Sequence, residues 1–198
     1  MSGSTIVIAS NNAGKLREIE RVLSPFGYKV APQSLYNVPE ADEPHLTFIE
    51  NCIIKARHAA RITGMAVIAD DSGICVNALG GAPGVHSARY AGEPKSDLRN
   101  NAELIAALSN TTQRDAYYYC VMVYMRHAED PQPLIAEGRW HGEIVDDARG
   151  TDGFGYDPHF FIHELGKTAA ELTPEQKDSL SHRGQALANL ASQLGQFN

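Results

Sequence analysis

Residues 5–23, TIVIASNNAGKLREIERVL, decide the fold class. Thr5–Ala9 is a short β-branched apolar run and reads as a buried strand. Ser10–Gly14 is a polar loop. Leu16, Ile19, Val22, Leu23 and Phe26 then recur at helical spacing, and Pro25 marks the helix end. Strand, polar loop and helix in succession predict α/β rather than all-β.

The alternation continues outward from this unit. Thr47 opens a second helix, with Glu50 in capping-box position, and Phe48, Cys52, Ala56, Ala59 and Ile62 form its apolar stripe up to Gly64. Met65–Ala69 is an apolar strand, ended by Asp70-Asp71-Ser72-Gly73, and Ile74–Leu79 returns as a strand. Gly80-Gly81-Ala82-Pro83-Gly84 is a loop, and Leu98, Ala102, Ile105 and Leu108 indicate a third helix. Ala116–Met125 and Leu134–Val145 read as a long antiparallel hairpin around the polar turn Arg126–Gln132. A glycine-rich loop, Gly150–Asp157, precedes a short aromatic strand, His159–Ile162. Thr173, Pro174 and Gln176 fit the cap, N1 and N3 positions of a helix. Ser181 can cap the last helix, whose Ala186, Leu187 and Leu190 face the core. No internal repeat or long linker interrupts the chain, so residues 1–198 read as a single domain.

Composition narrows the function classes. The 198 residues are 43% hydrophobic, enough for a full core, and 21% charged, which argues against disorder. A formal net charge of −7 disfavours DNA or long RNA as a partner, because affinity for such polymers rests on a positive surface. A small anion remains possible where a metal ion or a local basic cluster reverses the field. Residues 1–15 carry no secretory pattern, and no apolar run is long enough to span a membrane, so no membrane partner is expected. Cys52, Cys75 and Cys120 each sit in an apolar stretch and read as buried, reduced thiols of a cytoplasmic protein.

Five stretches have chemical potential. Ser10-Asn11-Asn12-Ala13-Gly14-Lys15 joins a strand to a helix N-terminus, where backbone amides, the helix dipole, the Asn12 amide and Lys15 favour an anion, although the spacing is not that of a Walker loop. Asp70-Asp71-Ser72-Gly73 places two carboxylates directly after an apolar strand, where ligands of open α/β sheets sit and where Mg²⁺ would neutralise them; the alternative is a solvated turn. Glu40, Asp42 and Glu43 can add a carboxylate to that metal or merely favour the next helix N-terminus, and Lys55 on that helix can reach a phosphate or simply be solvated. Gly153-Phe154-Gly155-Tyr156-Asp157-Pro158 offers an aromatic for base stacking and a carboxylate for a base or ribose, or else a tight turn with its aromatics packed inward. Ser181-His182-Arg183-Gly184 puts a cation in a helix first turn, against the dipole, which hints at donors for a base carbonyl rather than a chance surface arginine. Lys177 lies one helical segment earlier.

Together these stretches resemble the inosine/xanthosine triphosphate pyrophosphatase family, the bacterial dITP/XTP type. The resemblance runs from about Ile6 to Leu190, through Ser10–Lys15, EPHLTFIENCIIKAR (43–57), ADDSG (69–73), LGGAPGVHSARY (79–90), GFGYDP (153–158), KTAAEL (167–172) and SHRGQA (181–186). It implies an elongated, two-lobed α/β fold with a curved central mixed sheet and a cleft between the lobes. It implies a Mg²⁺-dependent homodimer that splits aberrant purine nucleoside triphosphates (ITP, dITP, XTP) into monophosphate and pyrophosphate. Carried onto this chain, Ser10, Asn11, Asn12, Ala13, Gly14 and Lys15 would hold the triphosphate, with Lys55 beside it. Asp71 would be proton acceptor and metal ligand, supported by Asp70 and Glu43, the latter favoured over Glu40. Ser72 would touch substrate, and Phe154, Gly155, Tyr156, Asp157, Lys177, His182 and Arg183 would hold base and sugar. Ser-Asn-Asn stands where the family often has Thr-Gly-Asn, and Cys52 where it usually has alanine. The rival readings are a pyrophosphatase of other modified nucleotides, a metal-dependent phosphomonoesterase, and a non-catalytic nucleotide-binding regulator.

Overall fold

The computed structural model describes residues 5–196. The outermost residues of the expected 1–198 domain, 1–4 and 197–198, lie outside it. In chain order the main elements are β1 (Thr5–Ile8), α1 (Ala13–Leu23), β2 (Lys29–Pro32), α2 (Phe48–Thr63), β3 (Val67–Val76) and α3 (Asp97–Ala107). They are followed by β4 (Asp115–Met125), β5 (Leu134–Ile144), β6 (Phe160–Ile162), β7 (Lys167–Thr168), α4 (Pro174–Leu180) and α5 (His182–Gln196). The strands form a seven-stranded sheet in the order β2-β1-β3-β4-β5-β6-β7. β1 pairs parallel with β2 and β3, whereas β6 pairs antiparallel with β5 and β7, so the sheet is mixed, as expected. No helix among the described residues is long and apolar enough to cross a membrane.

The chain divides into two compact units, with boundaries that fall inside β3, β4, β5 and α5. The first comprises Met1–Asp71, Cys120–Gly138 and Gln185–Asn198. Its core gathers Ile6 and Ile8 of β1, Ile19 and Leu23 of α1, Met122 of β4, and Ala186, Leu187 and Leu190 of α5. These are the apolar positions that periodicity assigns inward on the first and last helices. The second unit comprises Ser72–Tyr119 and Arg139–Gly184. Its core is built on Ile74, Leu104, Leu108, Trp140, Ile144 and Phe160.

The helix signals work as local chemistry dictates. Thr47 Oγ1 accepts from the Glu50 amide, and the Gly64 C-cap is left-handed, so α2 begins and ends where its sequence says. Thr173 and Gln176 form a reciprocal capping box on α4. Ser181 Oγ accepts from the Gly184 amide at 3.1 Å at the start of α5. All three cysteines are buried.

Three expectations are corrected, and one strand lies outside them. β3 is one continuous ten-residue strand through Asp70–Gly73, not two strands about a turn, and it ends at Val76 with Asn77–Leu79 in a 3₁₀ turn. β2, four residues ending in a proline, carries too little pattern to be read from sequence. On α3 the buried stripe is Asn100, Leu104 and Leu108, whereas Leu98 is 82% exposed. The buried polar residue explains the offset: Asn100 Oδ1 accepts from the Ala91 amide at 2.8 Å, and its Nδ2 donates to the Ala88 carbonyl at 3.1 Å. Phe26, expected on the first helix, falls in the 3₁₀ turn Ser24–Phe26 after it and is exposed, as is Ile62 on α2.

Candidate functional site

Two groups of the residues singled out above take shape, one in each unit. The first lies around the middle of β3. Consecutive strand residues project to opposite faces, and the adjacent carboxylates duly meet different helices. Asp70 Oδ2 accepts from Lys15 Nζ of α1 at 2.7 Å, whereas Asp71 Oδ1 accepts from Lys55 Nζ of α2 at 3.1 Å. Lys55 also meets Glu43 Oε1 at 2.7 Å. Glu43, not the exposed Glu40, is therefore the outer acid that shares a cation with Asp71.

The charge balance of this group is uneven. Lys15 pairs with Asp70, while the Lys55 ammonium meets both Asp71 and Glu43. Burial alone would lower the Lys55 pKa, but Asp71, Asp70 and Glu43 outweigh it and hold the ammonium well above the ordinary lysine range. Burial pushes the Asp71 carboxyl up from its ordinary value, against the pull of Lys55. Asp71 Oδ2 is buried and has no hydrogen-bond partner among the described residues. An unmatched buried carboxylate oxygen beside a second carboxylate fits a divalent cation, since either alone is costly to desolvate. Among the described residues no three Asp, Glu, His or Cys side chains converge as a metal cluster. Two carboxylates, with the remaining positions left to water and phosphate oxygens, match the habit of Mg²⁺. Asp70, expected as a further ligand, is held instead by Lys15.

The loop before α1 is ordered by its own side chains. Asn12 is the N-cap, and its Oδ1 accepts from the Gly14 amide at 2.9 Å and the Lys15 amide at 3.1 Å. The Asn12 amide in turn donates to Ser10 Oγ at 3.1 Å. Asn12 thus works as a capping acceptor rather than only as the expected donor. Asn11, Asn12, Ala13 and Gly14 are exposed at the helix N-terminus, and Ser10 and Lys15 are half-buried, which leaves this end open to an anion.

The second group is organised by Asp157, which is only 2% exposed. Its Oδ2 accepts from the Phe154 amide at 2.8 Å and from Lys177 Nζ, and its Oδ1 accepts from Tyr118 Oη at 3.2 Å. Expected to bond base or ribose, Asp157 instead has both oxygens engaged within the chain. Gly153 has a φ of +81° and lies so close that a Cβ there would fall 2.2 Å from Asp157 Oδ2. The Phe154 ring is 63% exposed, with Lys177 Nζ 4.6 Å from its centroid. Tyr156 turns the other way: it is buried in the core, and its hydroxyl donates to the Ser87 carbonyl at 2.8 Å. Gly155 is bonded by Asp97 and Asn101, two α3 residues that carry no motif signal of their own.

At the start of α5, His182 is buried and stacks on Tyr118 with ring centroids 4.8 Å apart and planes 10° from parallel. The guanidinium of Arg183 donates to Ser72 Oγ at 3.4 Å. Tyr118 thus braces both Asp157 and His182, a role its place in a plain alternating strand does not announce. Burial, then the neighbouring Asp157 charge, raises the Tyr118 phenol well above its ordinary pKa, so it stays a donor.

A family model described as "Ham1 family" matches residues 6–193. A dITP/XTP pyrophosphatase of Nitrosomonas europaea is 62% identical over 191 residues, covering 96% of this chain and 94% of the relative. Another of that name, from Ralstonia nicotianae, is 59% identical and covers 97% of both chains. The structure of a HAM1 protein from Coxiella burnetii superposes with a TM-score of 0.95 at 45% identity, covering 98% of this chain and 99% of the other.

Proposed function

The chain belongs to the Ham1 family, and on that premise we propose that it hydrolyses aberrant purine nucleoside triphosphates (ITP, dITP and XTP) to the monophosphate and pyrophosphate. The observation that carries this reading is the near-full-length identity, 62% and 59%, with relatives named for that activity. The whole span 1–198 acts as one pyrophosphatase domain, in a cytoplasmic homodimer.

The triphosphate is held by Ser10 through Lys15, at the open helix N-terminus capped by Asn12. Glu43 and Asp71 would hold Mg²⁺, which would neutralise phosphate oxygens and orient a water. Asp71 accepts the proton of the water that attacks the α-phosphorus as pyrophosphate departs. Its unpartnered Oδ2 and raised carboxyl pKa support this assignment. The ammonium groups of Lys15 and Lys55 offset the charge that grows on the departing pyrophosphate. Asp70 accepts from Lys15 and holds that side chain in place.

Phe154 stacks on the base, with Lys177 beside it. Tyr156 and Asp157 contribute by fixing that turn from within, and Gly155 by its backbone. His182 and Arg183 donate to the 6-oxo group that inosine and xanthine present, and Ser72 lies against Arg183 to meet the substrate. A base with a 6-amino group turns a donor toward these donors and is disfavoured.

Incubation with ITP, XTP, GTP and ATP in the presence of Mg²⁺, with product identification, tests the reading. Release of inosine and xanthosine monophosphates with pyrophosphate, at rates well above those for ATP, is the expected result. Orthophosphate as product would make the chain a phosphomonoesterase, and tight binding without turnover would make it a regulator.

A further inference from the structure

The turn that carries Phe154 is held from two directions. Asp157 accepts from the Phe154 amide at 2.8 Å. From α3, Asp97 Oδ2 accepts from the Gly155 amide at 2.7 Å, and Asn101 Nδ2 donates to the Gly155 carbonyl at 2.9 Å. Asp97 and Asn101 are four residues apart, hence on one helix face. One face of one helix therefore engages both polar groups of a single glycine. Asn101 Oδ1 is buried and makes no hydrogen bond among the described residues, so the Gly155 carbonyl is the partner this side chain holds. Gly155 has a φ of +63° and nothing within 4 Å of where a Cβ would stand. Glycine is there for its backbone conformation, not for space.

Asp97 has a simpler explanation that the structure weakens. A carboxylate in the first turn favours the helix dipole wherever it points. Ser96 already caps α3, accepting from the Arg99 amide at 3.3 Å. The Asp97 carboxylate instead reaches an amide 58 residues away in sequence. What lies between the two pinned amides is a large apolar ring left mostly in solvent.

We propose that Asp97 and Asn101 are positioning residues that hold the Phe154 ring as a preformed platform, and so set affinity for the nucleobase rather than for the phosphates. The proposal rests on the nucleotide reading above. A ring on a loose turn has to be ordered when ligand arrives, and that ordering cost is subtracted from affinity. A ring already fixed by three backbone hydrogen bonds avoids it.

The test compares binding of inosine monophosphate with binding of tripolyphosphate, a ligand without a base. Calorimetry on the full chain is run for the wild type, Asp97→Ala, Asp97→Asn, Asn101→Ala and the double alanine variant. Each alanine substitution is expected to weaken the nucleotide about fivefold, the equivalent of one hydrogen bond. Tripolyphosphate affinity stays at the wild-type value. Asp97→Asn recovers most of the loss, because it keeps an oxygen for the Gly155 amide while giving up the charge that a dipole role needs. The KM for ITP rises in proportion to the loss of nucleotide affinity, with kcat within about twofold of wild type. Amide hydrogen exchange at Phe154 and Gly155, faster in the alanine variants, reports the loosened turn without any ligand. Equal losses for both ligands, an Asp97→Asn variant as weak as Asp97→Ala, or a double variant with wild-type affinity would overturn the proposal. Wild-type turnover of ITP alongside unchanged variant affinities would overturn the platform alone, whereas absence of nucleotide binding by the wild type would overturn both readings.

Discussion

Asp157→Ala removes one carboxylate and strands three donors. The Phe154 amide and the Tyr118 hydroxyl lose acceptors at 2.8 and 3.2 Å, and Lys177 loses its ion-pair partner. A buried donor left unsatisfied costs about 1–3 kcal/mol. The Lys177 side chain keeps 17% of its surface exposed, so its ammonium can turn to water and adds little. The two neutral donors together give a loss of about 4 kcal/mol. At about 2–4 °C per kcal/mol for a chain of this size, the melting temperature falls by about 12 °C. Asp157→Asn should fall between: its oxygen can serve Tyr118, but its amino group then faces the Phe154 amide and Lys177 as donor against donor. Thermal unfolding followed by circular dichroism measures both variants side by side. An alanine variant melting within about 2 °C of wild type would show that water reaches these donors freely, and the reasoning would fail.

Asp71→Asn should lower kcat at least about 100-fold while inosine monophosphate binds with near-wild-type affinity; turnover within about threefold of wild type would remove Asp71 from the proton-accepting role. Gly184→Ala sets helix propensity against sterics: alanine is ordinarily favoured by ~1 kcal/mol within a helix, but its Cβ would fall 1.8 Å from the Asp178 carbonyl oxygen, so the variant should melt lower, and a raised melting temperature would contradict the close approach. Asp130 is held well below its ordinary value of 3.8, first by the Arg126 side chain and then, against its burial, by the Arg126 and Gln132 amides. Because the folded-state pKa is depressed, its contribution to stability is fully present above the ordinary carboxylate value and fades as pH falls through the lower one. Melting temperatures of wild type and Asp130→Asn should therefore differ most at about pH 6, with the gap narrowing steadily from about pH 4 to about pH 2; a gap that is constant with pH would refute the linkage.

Much of the architecture was legible because it is written in local chemistry. The β1–α1 unit, the Thr47 and Thr173 caps, the Gly64 stop and the inward face of α5 each follow from residues within a turn of one another. What escaped depends on partners far along the chain. Asp70-Asp71-Ser72-Gly73 has turn composition, and it stays in a strand because lysines 55 and 16 residues away neutralise the two carboxylates. Asn100 is polar by type and buried by circumstance, since its partners lie in a loop that periodicity does not see. The residues of the candidate site were nearly all marked in the sequence, yet their division of labour was not. Nothing in GFGYDP says that Phe154 faces solvent, that Tyr156 faces the core, or that Asp157 has no oxygen to spare. Asp97, Asn101 and Tyr118 carry no signature at all, because each acts by reaching a backbone or side chain that only folding brings near.

The three sequestered thiols give the molecule its own clocks. Burial raises the Cys52 and Cys75 pKa values, so neither offers a thiolate to an alkylating reagent while its surroundings stay closed. Cys52 and Cys120 belong to the first unit and Cys75 to the second. Iodoacetamide uptake, resolved peptide by peptide, would thus time the opening of each unit separately in unmodified protein, with no probe introduced and no residue replaced.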